Sequence, residues 1–385
     1  MLLREMSRVL RGTFATSEAA SRTSLRFARA GGGAARTSAT AQTAPRRERG
    51  GHGGAASSGK GTLTAAAHMD TPAQQFPFAF DPTSGLPQLF DVDANICHEQ
   101  LIQDREEHMI KAHRVGVAAM LVPASTAASA IEIQQFVQSN MLTLSPTRPP
   151  TRPRIYTTAG IHPYEASADL ADPTKSCLAT DMSTLRGLLV DHPNTVVAVG
   201  ECGLDYSEGF PDREAQLRVF KAQVIMACEL ARPLFLHVRE AFNDCFRVLD
   251  EHRNNGNGDN FPPVIIHCFT GSADDLRACL SRGYSLSVSG LICRKEAGRP
   301  LREALSSVRG EGLLDLSRVM VETDAPYLGF KGCRAGYKKG AKRQNPNVPS
   351  ALPLVVNQLA KVLGVSSSEL AEASRRNAAR FFGVV

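Results

Sequence analysis

No apolar run in this 385-residue chain approaches the ~20 residues that a membrane-spanning helix needs, which excludes a helical membrane protein. The nine cysteines (97, 177, 202, 228, 245, 268, 279, 293 and 333) contain no Cys-x-x-Cys pair. Their odd number and scattered spacing exclude a disulfide framework and fit reduced thiols in a reducing compartment. Acid is scarce only at the start. Residues 1–60 set ten arginines and Lys60 against Glu5, Glu18 and Glu48, a balance of +8. The remaining 33 basic and 35 acidic residues give −2, so the net charge of +6 belongs to the amino-terminal segment. It does not mark the rest of the chain as a basic nucleic-acid binder.

Residues 1–50 are rich in Arg, Ser, Thr and Ala and hold no lysine. Leu2, Leu3, Met6, Val9 and Leu10 share one helical face, with Arg4, Arg8 and Arg11 on the other. This composition resembles a transit peptide and implies import into a mitochondrion or plastid. The alternative is a disordered low-complexity extension on a protein of the cytoplasm or nucleus. Residues 51–85 read as a Gly/Ala-rich linker, and 86–385 as one folded domain.

From there strands and helices alternate. Apolar, β-branched runs mark strands at Leu89–Asn95, Ala118–Pro123, Ile155–Ile161, Val196–Val199, Pro233–Val238, Val264–Phe269, Tyr284–Ser289 and Arg318–Glu322. Helical stretches are expected at Glu99–Val115, Ala128–Asn140, Arg213–Ala231, Asn243–His252, Ala351–Leu363 and Ser368–Phe382. A Ser366/Glu369 capping box opens the last of them. In Arg213–Ala231, Leu217, Phe220, Val224 and Cys228 fall at helical spacing. Eight strands, each followed by a helical stretch, predict a single α/β domain, a (β/α)8 TIM-type barrel. A doubly wound open sheet is the runner-up, weakened because no glycine-rich phosphate loop follows the first strand.

The stretch VVAVGECGLDY (196–206) organises the domain. A buried strand runs into Glu201, a costly place for a carboxylate unless it is paired or holds a cation. Gly203 is expected to turn the chain and bring Asp205 back near Glu201. Glu201, His237, His267 and Asp324 each stand at the C-terminal end of a different strand, the face where barrel active sites form. A single histidine inside a strand is more often a hydrogen-bonded core residue. Two histidines and two acids at equivalent ends are instead a mixed N/O ligand set for one or two divalent cations. Glu322 competes with Asp324 for this role, and Asp324 also reads as a turn residue. His162 ends the third strand, as core residue or site residue. Cys202 and Cys268 read as small packing residues.

The segments GIHPYE (160–165), VGECGLDY (199–206), PLFLHVREA (233–241), IHCFTGS (266–272) and VETDAPYL (321–328) resemble the TatD family of metal-dependent deoxyribonucleases. The resemblance covers Phe90 to Phe382. It implies a barrel of the amidohydrolase superfamily that hydrolyses DNA phosphodiesters, often as a 3′→5′ exonuclease on single-stranded ends. It also implies Glu201, His237, His267 and Asp324 as metal ligands, with His162 and Asp205 contacting substrate, water or a second ion. Many relatives open with Asp-x-His-x-His, where this chain has Asp91-Val92-Asp93-Ala94-Asn95. Oxygen in place of imidazole shifts the expected ion toward Mg2+ or Mn2+ and away from tightly held Zn2+. Metal retention through purification should be weak.

An ion so placed lowers the pKa of a bound water, and Asp324 or Asp205 then serves as general base. The loop Phe330–Val348 carries Lys331, Arg334, Lys338, Lys339, Lys342 and Arg343 with no acid, and Tyr337 among them. Beside Asp324 it reads as a phosphate-gripping loop with one stacking residue, and otherwise as a solvated charged loop. DNA is the expected substrate, with RNA as the alternative, and no membrane or obligatory protein partner is implied. Other readings are an amide or ester hydrolase of the same superfamily, including an aminoacyl-tRNA deacylase, and a decayed barrel retained for binding.

Overall fold

The computed structural model describes residues 88–142, 150–254, 261–335, 337 and 346–384. The expected transit segment and linker lie outside the described residues, as do Lys338, Lys339, Lys342 and Arg343. Eight strands are present: β1 Leu89–Asp91, β2 Val117–Val122, β3 Arg154–Ala159, β4 Val196–Asp205, β5 Leu234–Arg239, β6 Val264–Ile266, β7 Ser285–Val288 and β8 Val319–Val321. They pair in chain order, every pair parallel. Just past the first and last strands, Val92 N–H donates to Val321 O at 3.2 Å and Asp324 N–H to Asp93 O at 2.9 Å. A parallel bridge joins Ala94 and Ala325. These contacts bring the two ends of the sheet together into the barrel that the alternating pattern predicts.

The helices on the outside are α1 Arg105–Arg114, α2 Ala127–Leu142, α3 Cys177–Asp191, α4 Arg213–Leu230, α5 Phe242–His252, α6 Ala273–Ser281, α7 Arg299–Gly310, α8 Leu352–Leu363 and α9 Ser367–Phe382. The Ser366 side chain accepts from Glu369 N–H at the start of α9. The reciprocal capping box sits elsewhere, at α6, where Ser272 and Asp275 each accept the other's backbone N–H. Strand faces split the core in two. Phe90, Leu121, Tyr156, Val197, Phe235, Ile265 and Met320 pack together with Ala378 and Phe382 of α9. The alternate residues, such as Leu89, Met120, Val122, Val199, Leu236 and Val321, pack among the helices. Both faces of each strand are thus buried, which is why the strands read as continuous apolar runs.

Helix α4 differs from expectation in one respect. Val219, Phe220, Val224 and Ala227 are buried, while Leu217 and Cys228 are only half-buried. The buried face is turned because it also carries Gln216 and Gln223, which reach the backbone of two strands. Gln223 accepts from Ile161 N–H at 2.7 Å and donates to Ile161 O at 3.0 Å. Gln216 accepts from Asp205 N–H at 2.8 Å and donates to Asp205 O at 2.7 Å. One helix therefore pins the ends of β3 and β4, next to His162 and at Asp205.

Candidate metal centre

The centre is built on an irregularity in β4. This strand does not end near Val199 and turn at Gly203, as the sequence suggested; it runs on to Asp205 beside β5. Pairing slips between Val199 and Cys202, and Gly200 and Gly203 adopt φ of 150° and 136°. A Cβ at Gly200 would stand 2.4 Å from Phe235 O, and one at Gly203 2.0 Å from His237 O. Only glycine lets β4 lie this close to β5 while bulging. The bulge turns Glu201 and Asp205 toward the same imidazole. His237 Nδ1 lies 3.2 Å from Glu201 Oε1, and His237 Nε2 lies 2.8 Å from Asp205 Oδ2.

Glu201 Oε1 is the focus of the site. Besides His237, it receives His267 Nε2 at 2.8 Å from the end of β6 and His162 Nε2 at 3.3 Å from the end of β3. The hydrogen bonds assign the rings different roles. Tyr164 N–H donates to His162 Nδ1 at 3.1 Å, so the neutral ring carries its proton on Nε2 and is a donor. Burial also lowers the His162 pKa against the pull of Glu201, which keeps the ring neutral. His237 can give its Nε2 proton to Asp205 and leave the Nδ1 lone pair free for an ion.

The charge balance of the ion-free site follows from burial and pairing. Burial pushes Glu201 up, but His267 and His162 outweigh it and hold the carboxyl well below its ordinary range. Burial pushes His237 down, but its bonds to Asp205 and Glu201 raise it to about 9. For Asp205 burial is likewise overridden by the His237 bond, leaving about 2. Asp324, buried near Glu322, is pushed up to about 7, first by burial and then by the Glu322 charge.

Glu201, His237, His267, His162 and Asp205 are thus brought together; among the described residues His162, Glu201 and His237 form one candidate ligand cluster and Asp93, His267 and Glu322 another, with Asp324 in neither. Asp93 lies with Oδ2 3.2 Å from His267 Nδ1. Glu322 Oε1 lies 3.7 Å from that same nitrogen. In the sequence Glu322 is only a rival to Asp324, because alternation along a strand does not distinguish which of two nearby acids faces the mouth. Gln216 and Gln223 gave no signal beyond being polar within an apolar helix face. Cys202 and Cys268 fit the packing role: burial raises both thiols, Cys202 beyond any thiolate range.

The donor set fits a divalent cation. Ligands held ~2.0–2.2 Å from one ion lie ~3.0–3.5 Å from each other. His237 Nδ1 and His267 Nε2 stand 3.2 and 2.8 Å from Glu201 Oε1, close to that spacing. Two imidazoles with the Glu201 carboxylate form a borderline set suited to a divalent ion, and Asp324 is the further donor expected from the sequence.

Residues 90–383 match the family model described as TatD related DNase. The chain is 31% identical over 296 residues to a protein of Citrobacter rodentium named 3'-5' ssDNA/RNA exonuclease TatD, covering 77% of this chain and 98% of that one. A Pantoea ananatis protein of the same name is 32% identical over 297 residues, with 77% and 100% covered. Among solved structures, an uncharacterized amidohydrolase from Saccharomyces cerevisiae superposes with a TM-score of 0.63 at 20% identity, over 77% of this chain and all of that one. The TatD homologue YJJV from Escherichia coli gives 0.60 at 23% identity, over 77% and 98%. These two likenesses show the same fold. With its barrel, its motifs in order and a family match that spans nearly all the described residues, the chain belongs to the TatD-related DNase family of hydrolases.

Proposed function

We propose that this protein is a divalent-metal-dependent exonuclease that removes nucleotides from the 3′ end of single-stranded DNA or RNA. The observation that carries the reading is the convergence of His237 Nδ1 and His267 Nε2 on Glu201 Oε1, in a chain whose relatives are named as such exonucleases. Glu201, His237, His267 and Asp324 would hold the ion. Bound there, it supplies positive charge for a phosphoryl oxygen and acidifies a water.

The protein's own groups do the rest. Asp205 fixes the His237 ring by accepting from Nε2. The Nε2–H of His162 is a neutral donor facing Glu201 Oε1 at 3.3 Å, and a non-bridging phosphate oxygen bound beside it is its proposed acceptor in the complex. Burial, and then the Glu322 charge, raise the Asp324 carboxyl, and this residue beside Glu201 is the proposed general base. Phe210 stands in ring contact with His162 and Tyr164, centroids 6.2 and 5.5 Å away, and supports a role as an apolar wall for the terminal nucleobase. The composition of residues 1–50 supports import into a mitochondrion or plastid, which a reporter fused to that segment would test.

Polarity is tested with single-stranded DNA labelled at one end and Mg2+ or Mn2+ added to chelated protein. Stepwise loss of 3′ nucleotides with the 5′ label retained is expected. Hydrolysis of aminoacyl esters or amides without cleavage of DNA or RNA would overturn the reading.

A further inference from the structure

Three atoms behind His267 are buried and lack an aligned hydrogen-bond partner: His267 Nδ1, Asp93 Oδ2 and Glu322 Oε1. Asp93 and Glu322 are fully buried and His267 is 5% exposed. Unpaired polar atoms at such depth are costly, so the arrangement calls for a reason. The other oxygen of each carboxylate is occupied. Asn95 Nδ2 donates to Asp93 Oδ1 at 2.9 Å, and Ser287 Oγ donates to Glu322 Oε2 at 2.6 Å. Both acids are therefore held with one free oxygen toward the same nitrogen, at 3.2 and 3.7 Å. From below, the Phe235 ring stacks on His267 with centroids 4.9 Å apart, so the imidazole cannot tilt away.

We infer that Asp93 accepts the Nδ1 proton of His267 in a hydrogen bond with the Glu322 carboxylate beside it, and that the two acids so position His267 Nε2 toward Glu201 and the ion. Asp93 Oδ2 at 3.2 Å is the nearer acceptor, and Glu322 Oε1 at 3.7 Å lies just outside hydrogen-bond distance. The same logic operates on the other ligand ring, where Asp205 accepts from the far nitrogen of His237. Here two acids face one ring. An ion among the three atoms is the competing account. It would have three protein ligands and, in a solvent-excluded space, no water to complete a tetrahedron.

Asp93 and Glu322 are thus positioning residues that work through His267. The inference rests on the ion seat proposed above, not on the identity of the substrate. Its test uses the full chain with 15N-labelled histidine, with and without Mg2+. His267 Nδ1 should carry a slowly exchanging proton in both states, while Nε2 shifts when Mg2+ binds. A bare Nδ1 in the Mg2+-loaded protein would overturn the inference. Intact Nδ1–H with no Mg2+ shift at Nε2 would leave the Nδ1 hydrogen bond standing and count against the ion seat. Glu322→Gln and Asp93→Asn should each weaken Mn2+ binding by about 10–100-fold with melting temperature little changed. Because they serve one ring, the double variant should lose less than the product of the two. Unchanged affinity in folded variants would overturn the positioning role, as would a Mn2+ ion seen by anomalous scattering among the three atoms. Where a variant does not fold, the labelled wild-type protein decides.

Discussion

His237 Nε2 stands 2.8 Å from Asp205 Oδ2, and this pair holds the imidazole protonated when no ion is bound. Its pH dependence has a definite sign. His237 is raised from 6.5 to about 9, so its contribution to stability is full below about pH 6.5 and is lost as pH rises through about 9. Asp205 is lowered from 3.8 to about 2, so its contribution is present above about pH 3.8 and is lost on acidification through about 2. Chelated protein should therefore melt highest between about pH 4 and 6.5, and lower as pH climbs toward 9. An ion on Nδ1 must displace the proton that faces Glu201, so Mn2+ affinity should rise over pH 6.5–9, by about tenfold per unit for each proton released. Calorimetry at three pH values checks it; a flat affinity would contradict the pairing.

Gly203→Ala should be among the most damaging single changes outside the ligands. The new methyl would meet His237 O at 2.0 Å in a backbone with φ of 136°. Either β5 moves, carrying His237 with it, or β4 loses its bulge. Loss of several kcal/mol in urea unfolding is expected, with impaired ion binding in whatever protein remains folded. Full stability would contradict the close approach of the two strands.

Gln223→Ala tests the helix that pins the site. It leaves Ile161 N–H and O without their side-chain partner in a buried place, at a cost of about 2–4 kcal/mol. Since Ile161 precedes His162, the rate of substrate cleavage should fall more than ion affinity does. Equal loss of both would place the effect on the whole barrel instead.

Tyr337 is an anchor, not the free stacking residue that its place in a basic loop suggested. Its hydroxyl lies 3.0 Å from His108 Nδ1, its ring stacks on His108 at 5.3 Å, and Lys111 Nζ sits 3.6 Å above the ring. Tyr337→Phe, which keeps the ring, should retain substrate affinity and lose about 1 kcal/mol of stability, while Tyr337→Ala should lose about 3. A rise in the Michaelis constant for DNA with the phenylalanine variant would contradict the anchoring role.

The barrel was legible because strands buried on both faces must be apolar throughout, so Val196–Val199, Leu234–Leu236 and Val319–Val321 stand out from any neighbouring helix. The site residues were legible because charge at the end of such a run has few structural uses. What was not legible depends on irregularity or on distance. The β4 bulge needs the clash that a Cβ at Gly203 would make with His237 O, which no local pattern encodes. Asp93 meets His267 across residues far apart in the chain, and its role emerges only when both are seen to be buried together.

The central claim is that an ion seated on Glu201 drives hydrolysis. The most direct measurement is single-turnover cleavage of single-stranded DNA across a Mg2+ titration, for wild-type protein and for Glu201→Gln. The substitution removes the charge on which His237 and His267 converge, at a cost of several kcal/mol in transition-state stabilisation, or about 10³-fold or more in rate. The account predicts Mg2+-dependent release of nucleotides by the wild type and that loss in the folded variant. Equal cleavage by both proteins, or wild-type cleavage that persists after chelation, would contradict it.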